Sequence, residues 1–590
     1  MFGIPWHRLP TPLALIKLAL FRNALRKNNL HDTSQLPNKN ELPKPAPSPD
    51  DRHLVTRTVD GSFNDLEHPE MGMANTRMGR NVPLKDAKFD EKNLLNPNPR
   101  TISRVLLARD EFHPATILNL HAASWIQFQT HDWFTHGDSQ PPGKPNNKFE
   151  IPLKEGDPWP QEHRPLEVRK TLEDPTRPEN KGNPPTFISK VTHWWDASHI
   201  YGSEQETVDR VRSHVDGKLL IGEDDFLPLS ADGIDEVGFP GTWWVGLSML
   251  HTLFVKEHNT ICDRLKQEYP DWTDNQLFDH ARLINAALLA KIHTVEWTTA
   301  ILPHPATTMA MNINWWGILG EDVKRRWGRL SDNEILSGII GSQTDHHTAP
   351  YYLTEEFVSV YRMHPLIPDE FNFYSHENGK FLAKKDFVEG FGKRTRSLME
   401  EIAIPDLFYS FGLMHPGAIT LHNYPDFLRQ LIKDDGEVFD LAAVDILRDR
   451  ERGVPRYNHF RELIGRGRVK SFEEITSNKQ WVKELREVYN NDLDSVDLMV
   501  GLFAEDIPEG FGFSDTAFRV FILMASRRLK SDRFFTKDYR AEVYTQFGLD
   551  WIDNNSMLTV LRRHYPALSP ALYGVQNAFA PWRQVGAAGY

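Results

Sequence analysis

The chain has 590 residues and a mass of 68.1 kDa, a length that by itself suggests two to four domains. With 40% hydrophobic, 11% aromatic and 25% charged residues, its composition is that of a folded globular protein, which excludes disorder over most of the sequence. The net charge of −13 provides no basic excess to neutralise phosphates and argues against a nucleic-acid-binding protein.

The sequence has a single cysteine, Cys262, which excludes an internal disulfide framework and any cysteine-rich zinc site. A reducing compartment, the cytoplasm, is therefore expected. Cys262 lies in a predicted amphipathic helix over 254–265, where a core position is favoured over a reactive thiol. The sequence contains 25 histidines and 16 tryptophans but only one cysteine, a composition that favours a histidine-ligated metal or haem site over a cysteine-ligated one.

Residues 12–27 predict an N-terminal helix in which apolar residues dominate and Lys17, Arg22 and Arg26 recur. No run of about 18 uncharged apolar residues occurs, so no transmembrane helix is expected. Lys17 interrupts the apolar stretch that a signal peptide requires and no small-residue cleavage site follows, so secretion is not expected. Two interpretations remain open: peripheral membrane contact through residues 10–27, with the cations toward lipid phosphate, or a helix docked on the protein body.

Residues 32–60 are polar and rich in proline and predict a linker or extended arm, and the Pro/Gly-rich stretch 138–185 predicts long surface loops. Strand-like alternation is rare. Helical periodicity recurs at 115–135, 244–268, 274–303, 350–364, 395–412, 425–434, 438–449 and 514–530. We therefore expect a mainly α fold with very little β, in which an amphipathic helix and Pro-rich arm (1–54) precede a catalytic domain (55–590).

The first candidate motif lies in the predicted helix 115–135. Gln127 and His131 are four residues apart and share one helix face, whereas Asp132 points elsewhere, toward a cation. A neutral imidazole with an amide beside it can shuttle a proton for a group bound opposite. The alternative is a structural histidine whose hydrogen bonds are satisfied within the fold.

The second motif is the segment 192–198, in which Thr192, Trp194, Asp196 and Ser198 alternate. In an extended or looped backbone this pattern places hydroxyl, carboxylate and carbonyl oxygens on one side, a donor set that suits Ca²⁺. The alternative is an ordinary strand edge or turn.

The third motif places Tyr361 and His364 one helical turn apart, with Pro365 predicted to end or kink the helix directly after the histidine. A histidine that closes a helix can ligate iron. A tyrosine one turn earlier lies near the same cofactor and can pass an electron to an oxidised haem.

These segments, together with 251–259, occur in the order seen in the superfamily of animal haem peroxidases and cyclooxygenases. Within it the chain most resembles the fatty-acid α-dioxygenases known from plants, which have relatives in bacteria. Segments 68–72, 79–81, 291–298 and 526–535 support the resemblance, which runs from about residue 55 to about residue 585. It implies an animal haem peroxidase-like helical domain that binds haem.

The resemblance assigns roles to individual residues. It makes His131 the distal histidine with Gln127 as its neighbour, His364 the proximal iron ligand and Tyr361 the tyrosine that becomes the catalytic radical. The implied calcium ligands are Asp132, Thr192, Trp194 (through its carbonyl), Asp196 and Ser198. The residues implied to hold a substrate carboxylate are His293, Thr298 and one of Arg527 and Arg528. Surface salt bridging of one arginine and a structural role for His293 are the alternatives.

Departures from the wider superfamily refine these expectations. Thr130 stands where mammalian peroxidases carry an aspartate esterified to haem, and 242–246 lacks their arginine and ester-forming glutamate. We therefore expect non-covalent haem b. Asp445 stands where the peroxidases carry an asparagine, and we expect it to accept the second ring N–H of His364 and increase its donor strength.

The resemblance implies a haem-dependent dioxygenase that uses a peroxide activator and a tyrosyl radical to add O₂ to the α-carbon of long-chain fatty acids. The expected product is a 2-hydroperoxy acid, which can lose CO₂ to give a shortened aldehyde. A general haem peroxidase that uses H₂O₂ to oxidise small phenolic donors is the first alternative. A haem-binding, membrane-associated sensor or scaffold without turnover is the second.

Overall fold

The computed structural model describes residues 4–36, 44–137, 147–177, 184–432 and 436–586. It is 47% helical with 7% strand, which confirms the predicted mainly α fold. The α-helices are α1 (Thr11–Asn28), α2 (Pro99–Ile102), α3 (Leu120–Trp133), α4 (Ser198–Tyr201), α5 (Gln205–Val211), α6 (Val245–Glu268), α7 (Asp274–Ile292), α8 (Thr298–Ile301), α9 (Pro305–Trp316), α10 (Glu321–Trp327), α11 (Glu334–Ser337), α12 (Glu355–Val360), α13 (Arg394–Glu401), α14 (Ile404–Leu413), α15 (Asp426–Arg429), α16 (Leu441–Glu451), α17 (Tyr457–Leu463), α18 (Lys479–Val488), α19 (Leu498–Ala504), α20 (Asp515–Ser531), α21 (Ala541–Asn554) and α22 (Met557–His564).

Strands form three antiparallel pairs within the described residues. They are β1 (Lys148–Ile151) with β2 (Leu166–Arg169), β3 (Glu370–Tyr374) with β4 (Phe381–Asp386), and β5 (Leu431–Ile432) with β6 (Val438–Phe439). The first pair corrects the prediction of loops over 138–185, of which 138–146 and 178–183 lie outside the described residues. Leu166 and Val168 alternate inward and belong with Ile151 and Trp159 to a small apolar cluster that also includes Ala443 and Leu447 of α16.

Helices α3, α6 and α7 form the centre of the molecule and position the candidate site. Helix α7 begins with a capping box between Thr273 and Gln276 and is buried all round from Ala281 to Ile292, as expected of a core helix. It continues without a break into a π-helical turn, His293–Trp297, and then into α8. Such turns insert one residue into a helix and are common at functional sites.

The N-terminal helix is docked on the protein body. Leu18 and Leu25 of α1 belong to the main hydrophobic core, and the guanidinium groups of Arg22 and Arg26 contact the Glu334 carboxylate at 2.5 and 2.7 Å. Of the Pro-rich arm that follows, residues 37–43 lie outside the described part. Arg22 and Arg26 of α1 are thus ion-paired within the protein. No helix in the described residues is long and apolar enough to cross a bilayer.

Some predicted helix boundaries are wrong. The helix predicted over 350–364 is confined to α12, so Tyr361 caps it and His364 starts a separate 3₁₀ turn instead of closing the helix. The chain leaves helical geometry at Tyr361 (φ −93°, ψ 10°), and Pro365 disfavours an α-helical conformation at His364, the residue directly before it. The segments 425–434 and 438–449 also contain β5 and β6, whose two-residue length gives no detectable alternation; 433–435 lie outside the described residues.

Candidate active site

A cavity of about 170 Å³ brings together residues that are far apart in the sequence. Helix α3 contributes one wall, and the segment after α12 contributes the other. Among the lining residues are Gln127, Thr130, His131, Thr242, Tyr361 and His364. The predicted distal and proximal histidines and the predicted radical tyrosine therefore face one space.

Two neighbouring groups fix the Gln127 side chain. The Trp244 indole N–H donates to its Oε1 at 2.8 Å, and its Nε2 donates to the Thr242 carbonyl at 3.1 Å. Burial, with a smaller contribution from His199, lowers the pKa of His131 to about 3. At neutral pH His131 is therefore an uncharged imidazole, able to accept a proton from a molecule in the cavity.

Gly241 lies against the face of the His131 ring. Its φ is +53°, and a Cβ added there would lie 2.7 Å from His131 Cε1. Because such contact forces the ring to move, we expect Gly241→Ala to slow the reaction of the haem-loaded protein with peroxide by about tenfold. Stopped-flow absorption at the Soret band measures this rate.

Gly156→Ala is the matched control, because Gly156 also has a positive φ, +78°, but a Cβ there meets nothing within 4 Å. Equal rates for the two variants would show that Gly241 does not position the imidazole.

On the proximal side, His364 Nδ1 lies 2.9 Å from Asp445 Oδ2. Tyr424 donates its hydroxyl to the same oxygen at 3.0 Å, and Arg362 forms an ion pair with Asp445 Oδ1. Burial alone would raise the pKa of Asp445, but His364 and Arg362 outweigh it and hold the pKa at about 2. Asp445 is thus a carboxylate facing Nδ1, which leaves Nε2 as the ring nitrogen for a metal.

Asp445→Asn is expected to raise the reduction potential of haem bound at His364 by about 60 mV, which is a tenfold change in a one-electron equilibrium. The reason is that a neutral amide increases the donor strength of the imidazole less than a carboxylate does. Spectroelectrochemical titration measures the shift.

Asp449→Asn is the control, because Asp449 also pairs with Arg362, at 3.2 Å, without contacting His364. Equal potentials for both variants and the parent would contradict this role.

Tyr361 is enclosed by aromatic rings. Its ring lies 5.1 Å from that of Trp133 in an edge-to-face arrangement and 4.6 Å from that of Phe357. Burial raises its pKa well above the ordinary tyrosine value, although Arg528 opposes the shift. The phenol therefore keeps its hydrogen at neutral pH and is screened from bulk water.

The structure separates the two adjacent arginines of α20, which the sequence could not. Both are 2% exposed, so surface salt bridging is wrong for either. Arg527 donates to the backbone carbonyls of Tyr352, His346, Ala349 and Pro350 at 2.7–3.5 Å. Its two terminal nitrogens thus hold the backbone of 346–352, and only its Nε is buried without a partner among the described residues.

Arg528 has a different environment. Its guanidinium lies over the rings of Trp133 and Trp195, 3.8 and 4.2 Å from their centroids. Its Nε and Nη2 are buried and find no hydrogen-bond partner among the described residues. Burial lowers its pKa, a shift that Tyr351 and Tyr361 oppose. A buried guanidinium without a carboxylate partner is costly unless a ligand supplies the anion.

His293 faces the same two tryptophans, with ring centroids 5.1 Å from Trp133 and 5.2 Å from Trp195. Burial and then Arg528 lower its pKa well below the ordinary value. Because the Trp125 indole N–H donates to Nδ1 at 3.2 Å, the proton of the neutral ring lies on Nε2, which is a donor. The hydroxyl of Thr298 donates to the His293 carbonyl at 2.8 Å across the π-helical turn.

The tryptophans that build this site were not predicted from the sequence. Trp133 and Trp195 cover Arg528, Trp125 fixes the His293 tautomer, and Trp244 holds Gln127. Trp133 and Trp195 stand directly beside the motif residues Asp132 and Asp196 in the sequence, and this adjacency is the feature from which they could have been predicted.

The predicted calcium ligands gather behind α3. The Asp132 Oδ1 atom accepts from the Ser198 amide at 2.5 Å and its hydroxyl at 3.1 Å, while Asp132 Oδ2 is buried without a partner. Burial raises the pKa of Asp196 to about 6; Arg282, 3.2 Å from Asp196, lowers it and Asp132 raises it. Of these two buried carboxylates, Asp196 is paired with Arg282, whereas the described residues give Asp132 no arginine partner.

The segment 192–198 is a series of bends rather than a regular strand. Ala197 has a φ of +62°, which turns the chain into α4. Thr192 and Trp194 are fully buried, and the Trp194 ring stacks on Tyr351. The described residues contain no group of three or more His, Cys, Asp or Glu able to hold a metal, so a cation here would also need hydroxyl and carbonyl oxygens.

Comparison with known proteins gives consistent matches. The family model of the animal haem peroxidases matches residues 56–577. The chain is 37% identical over 600 residues to alpha-dioxygenase PIOX of Oryza sativa subsp. japonica, covering 98% of this chain and 93% of the rice protein.

Two solved structures resemble the whole fold. The crystal structure of a Tyr-to-Phe variant of Oryza sativa fatty acid alpha-dioxygenase with palmitic acid superposes with a TM-score of 0.87 at 35% identity and covers 98% of this chain and 94% of that one. The Arabidopsis thaliana fatty acid alpha-dioxygenase gives a TM-score of 0.88 at 35% identity, with 98% and 90% coverage.

Proposed function

Because the chain belongs to the fatty-acid α-dioxygenases within the animal haem peroxidase family, we propose that it adds O₂ to the α-carbon of long-chain fatty acids. The product is a 2-hydroperoxy acid, which can lose CO₂ and water to give an aldehyde one carbon shorter. The observation that carries the proposal is the buried guanidinium of Arg528, which has no carboxylate partner among the described residues and lies beside His293 and Tyr361.

A fatty-acid carboxylate would complete this environment. Arg528 supplies a permanent charge in a planar fork, and the Nε2–H of His293 supplies a second donor, so both carboxylate oxygens can be bound. Tyr361 and Arg528 share Trp133 and Phe357 as neighbours. A carboxylate on Arg528 therefore places the next carbon, the α-carbon, on the side of the Tyr361 phenol.

The cavity residues fit a haem. His364, supported by Asp445, would provide the iron ligand, and the neutral His131 lines the same cavity, where it could exchange a proton with a molecule bound there. No Asp or Glu is among the described residues that line the cavity, which supports non-covalent binding of haem b. When bound, haem supplies the one-electron oxidising power that a peroxide activator releases.

The protein residues then position and move hydrogens. His131 can take the proton of the peroxide activator and return it, since its nitrogen is uncharged. Tyr361, after losing one electron and its proton, takes a hydrogen atom from the α-carbon. O₂ adds to the resulting carbon radical, and the peroxyl group recovers the hydrogen atom from Tyr361, which restores the phenoxyl radical.

The test is oxygen uptake by the haem-loaded protein at an oxygen electrode. Palmitate and related saturated acids should drive O₂ consumption after a trace of peroxide. Turnover of a phenolic donor without fatty-acid-dependent uptake would instead support a general peroxidase. Haem binding without either activity would support a sensor or scaffold and would refute the proposal.

We further propose that the cluster behind α3 binds Ca²⁺ through Asp132, Thr192, the Trp194 carbonyl, Asp196 and Ser198. The support is the unpartnered Asp132 Oδ2 beside a second buried carboxylate. Such an ion would tie the helix that carries His131 to the 192–198 segment.

Prolonged treatment with a chelator is expected to lower the free energy of unfolding by about 3 kcal/mol, if the ion had been present at a hundredfold excess over its Kd. It should also weaken the Soret band, because α3 carries the distal residues. Thermal unfolding and absorption spectra measure both. A sample with chelator and excess Ca²⁺ is the control, and identical behaviour of treated and control samples would mean that no ion binds.

A further inference from the structure

Two buried indole rings continue from Tyr361 into the protein. The ring of Trp133 lies 5.1 Å from that of Tyr361, and the ring of Trp195 lies 5.7 Å from that of Trp133, both in edge-to-face arrangements. Tyr361 lines the cavity, whereas neither indole is among the described residues that do so. Indoles are among the side chains most easily oxidised by one electron. Two competing electron donors therefore stand directly behind the candidate radical residue.

The surroundings of the two indoles decide which charge they would carry after oxidation. The Trp133 Nε1 atom is buried and has no hydrogen-bond partner among the described residues. The Trp195 Nε1 atom donates to the side-chain amide oxygen of Gln129 at 2.8 Å, and an amide is too weak a base to take the proton. Loss of one electron would therefore leave either indole as a radical cation. A phenol that loses an electron together with its proton, as proposed for Tyr361, stays neutral.

Arg528 places a fixed positive charge on both indoles. Its guanidinium carbon lies 3.8 Å from the ring centroid of Trp133 and 4.2 Å from that of Trp195. An arginine side chain stays protonated in a protein, so this charge is permanent. The nearby Asp132 carboxylate is engaged by the amide and hydroxyl of Ser198. The guanidinium attracts the negative face of a neutral ring, but it repels a ring that has become a cation.

We propose that Arg528 has a second function besides binding a carboxylate: its charge protects Trp133 and Trp195 from oxidation, so that Tyr361 is the residue that gives up an electron. Two positive charges about 4 Å apart in a partly screened protein interior disfavour the radical cation by on the order of a thousandfold. This second function rests on the proposed function, because both require a haem that peroxide has oxidised. It does not require turnover of a fatty acid.

The step that Arg528 opposes is a single electron transfer. One electron would leave the indole of Trp133 and pass, through the adjacent ring at position 361, to the peroxide-oxidised haem, which is reduced by one electron. The indole would keep its N–H proton and become a radical cation, and no bond would form or break. An electron from Trp195 could then refill Trp133 and move the positive charge further from the cavity. A radical displaced in this way could not reach the α-carbon of a substrate.

The protection applies chiefly to the substrate-free protein. A bound carboxylate would offset the charge of Arg528, but it would also place the α-carbon beside Tyr361, where its hydrogen reacts with the radical. The interval between activation by peroxide and arrival of a fatty acid is therefore the period in which an unprotected indole would be oxidised.

The experiment is rapid freeze-quench electron paramagnetic resonance of the full-length, haem-loaded protein mixed with hydrogen peroxide. It uses the Tyr361→Phe background, in which the preferred electron donor is absent. Tyr361→Phe/Arg528→Gln is expected to yield at least about tenfold more tryptophan radical than Tyr361→Phe alone, because the neutral amide no longer opposes a positive indole. Ring-deuterated tryptophan identifies the signal, and a further Trp133→Phe substitution should remove most of it.

Two variants in the same background separate charge from packing. Arg528→Lys keeps the positive charge without the planar fork and should leave the tryptophan radical at the level of Tyr361→Phe. Arg527→Gln removes a buried charge from the same helix, but Arg527 lies against the Tyr351 ring and the 346–352 backbone, so the radical yield should again stay low. Circular dichroism and haem absorption verify folding, and Arg528→Met is a second neutral variant that preserves side-chain length.

Equal yields of tryptophan radical with and without the Arg528 charge would overturn the inference. So would an abundant tryptophan radical in Tyr361→Phe alone. Neither result bears on the proposed function, which is tested by the fatty-acid-dependent oxygen uptake of the wild type. If that uptake is absent while the tryptophan radical depends on Arg528, the proposed function fails and the protective role of Arg528 stands.

Discussion

Arg528→Gln is expected to reduce kcat/KM for long-chain fatty acids by about 10³-fold, or ~4 kcal/mol. The amide removes the positive charge and the planar fork that would hold the carboxylate, so the α-carbon is no longer fixed beside Tyr361. The reaction of the haem with peroxide should continue, because Arg528 does not line the cavity shared by His131 and His364. Oxygen uptake and stopped-flow absorption measure the two activities separately.

The neighbouring arginine provides the control. Arg527→Gln should lower the free energy of unfolding by about 3 kcal/mol, since the Ala349 and Pro350 carbonyls would lose their buried donors. Fatty-acid kinetics of the folded fraction should change little. If fatty-acid kinetics instead responded to Arg527→Gln and not to Arg528→Gln, Arg527 would be the carboxylate-binding residue. The proposed role of Arg528 would then be refuted.

Tyr361→Phe is expected to abolish fatty-acid-dependent oxygen uptake, a loss of about 10⁴-fold or more, because no other hydrogen acceptor is placed there. Phenylalanine preserves the packing against Trp133 and Phe357. Haem absorption, peroxide reactivity and the free energy of unfolding should therefore remain close to wild type.

Tyr544→Phe is a suitable comparison. Tyr544 is also buried, which raises its pKa, but its hydroxyl donates to the Phe534 carbonyl and it does not line the cavity. We expect it to keep most of its oxygen uptake. Substantial uptake by Tyr361→Phe would require a different residue to carry the radical.

The helices with clear periodicity were predictable from sequence, and the short elements were not. Helices α6, α7 and α20 begin within one or two residues of the predicted starts because their apolar faces repeat over many turns. Helix α12 is shorter than predicted because the chain leaves helical geometry before His364. Strands β5 and β6 have two residues each and leave no period to detect.

The residue types of the candidate site were predictable from sequence, but which of two neighbouring residues has which role was not. Arg527 and Arg528 are adjacent, and a helix turns by about 100° per residue, so one faces the 346–352 backbone and the other faces Trp133. Sequence gives no absolute orientation for a helix buried on all sides. The partners of His293 likewise come from α3 and the 192–198 segment, which only tertiary packing brings together.

The π-helical turn at His293–Trp297 has a wider consequence than its hydrogen bond to Thr298. The turn absorbs one extra residue locally, because Thr298 lies against the His293 carbonyl although the two are five positions apart, whereas an uninterrupted α-helix aligns residues about four apart. Deleting one residue within 294–297 would therefore let the segment close as a uniform α-helix and leave Thr298 on the same face as His293. A deletion elsewhere in α7 would instead turn His293 by about 100° relative to the start of that helix, so this turn is the place where the helix could be shortened without re-aiming the imidazole.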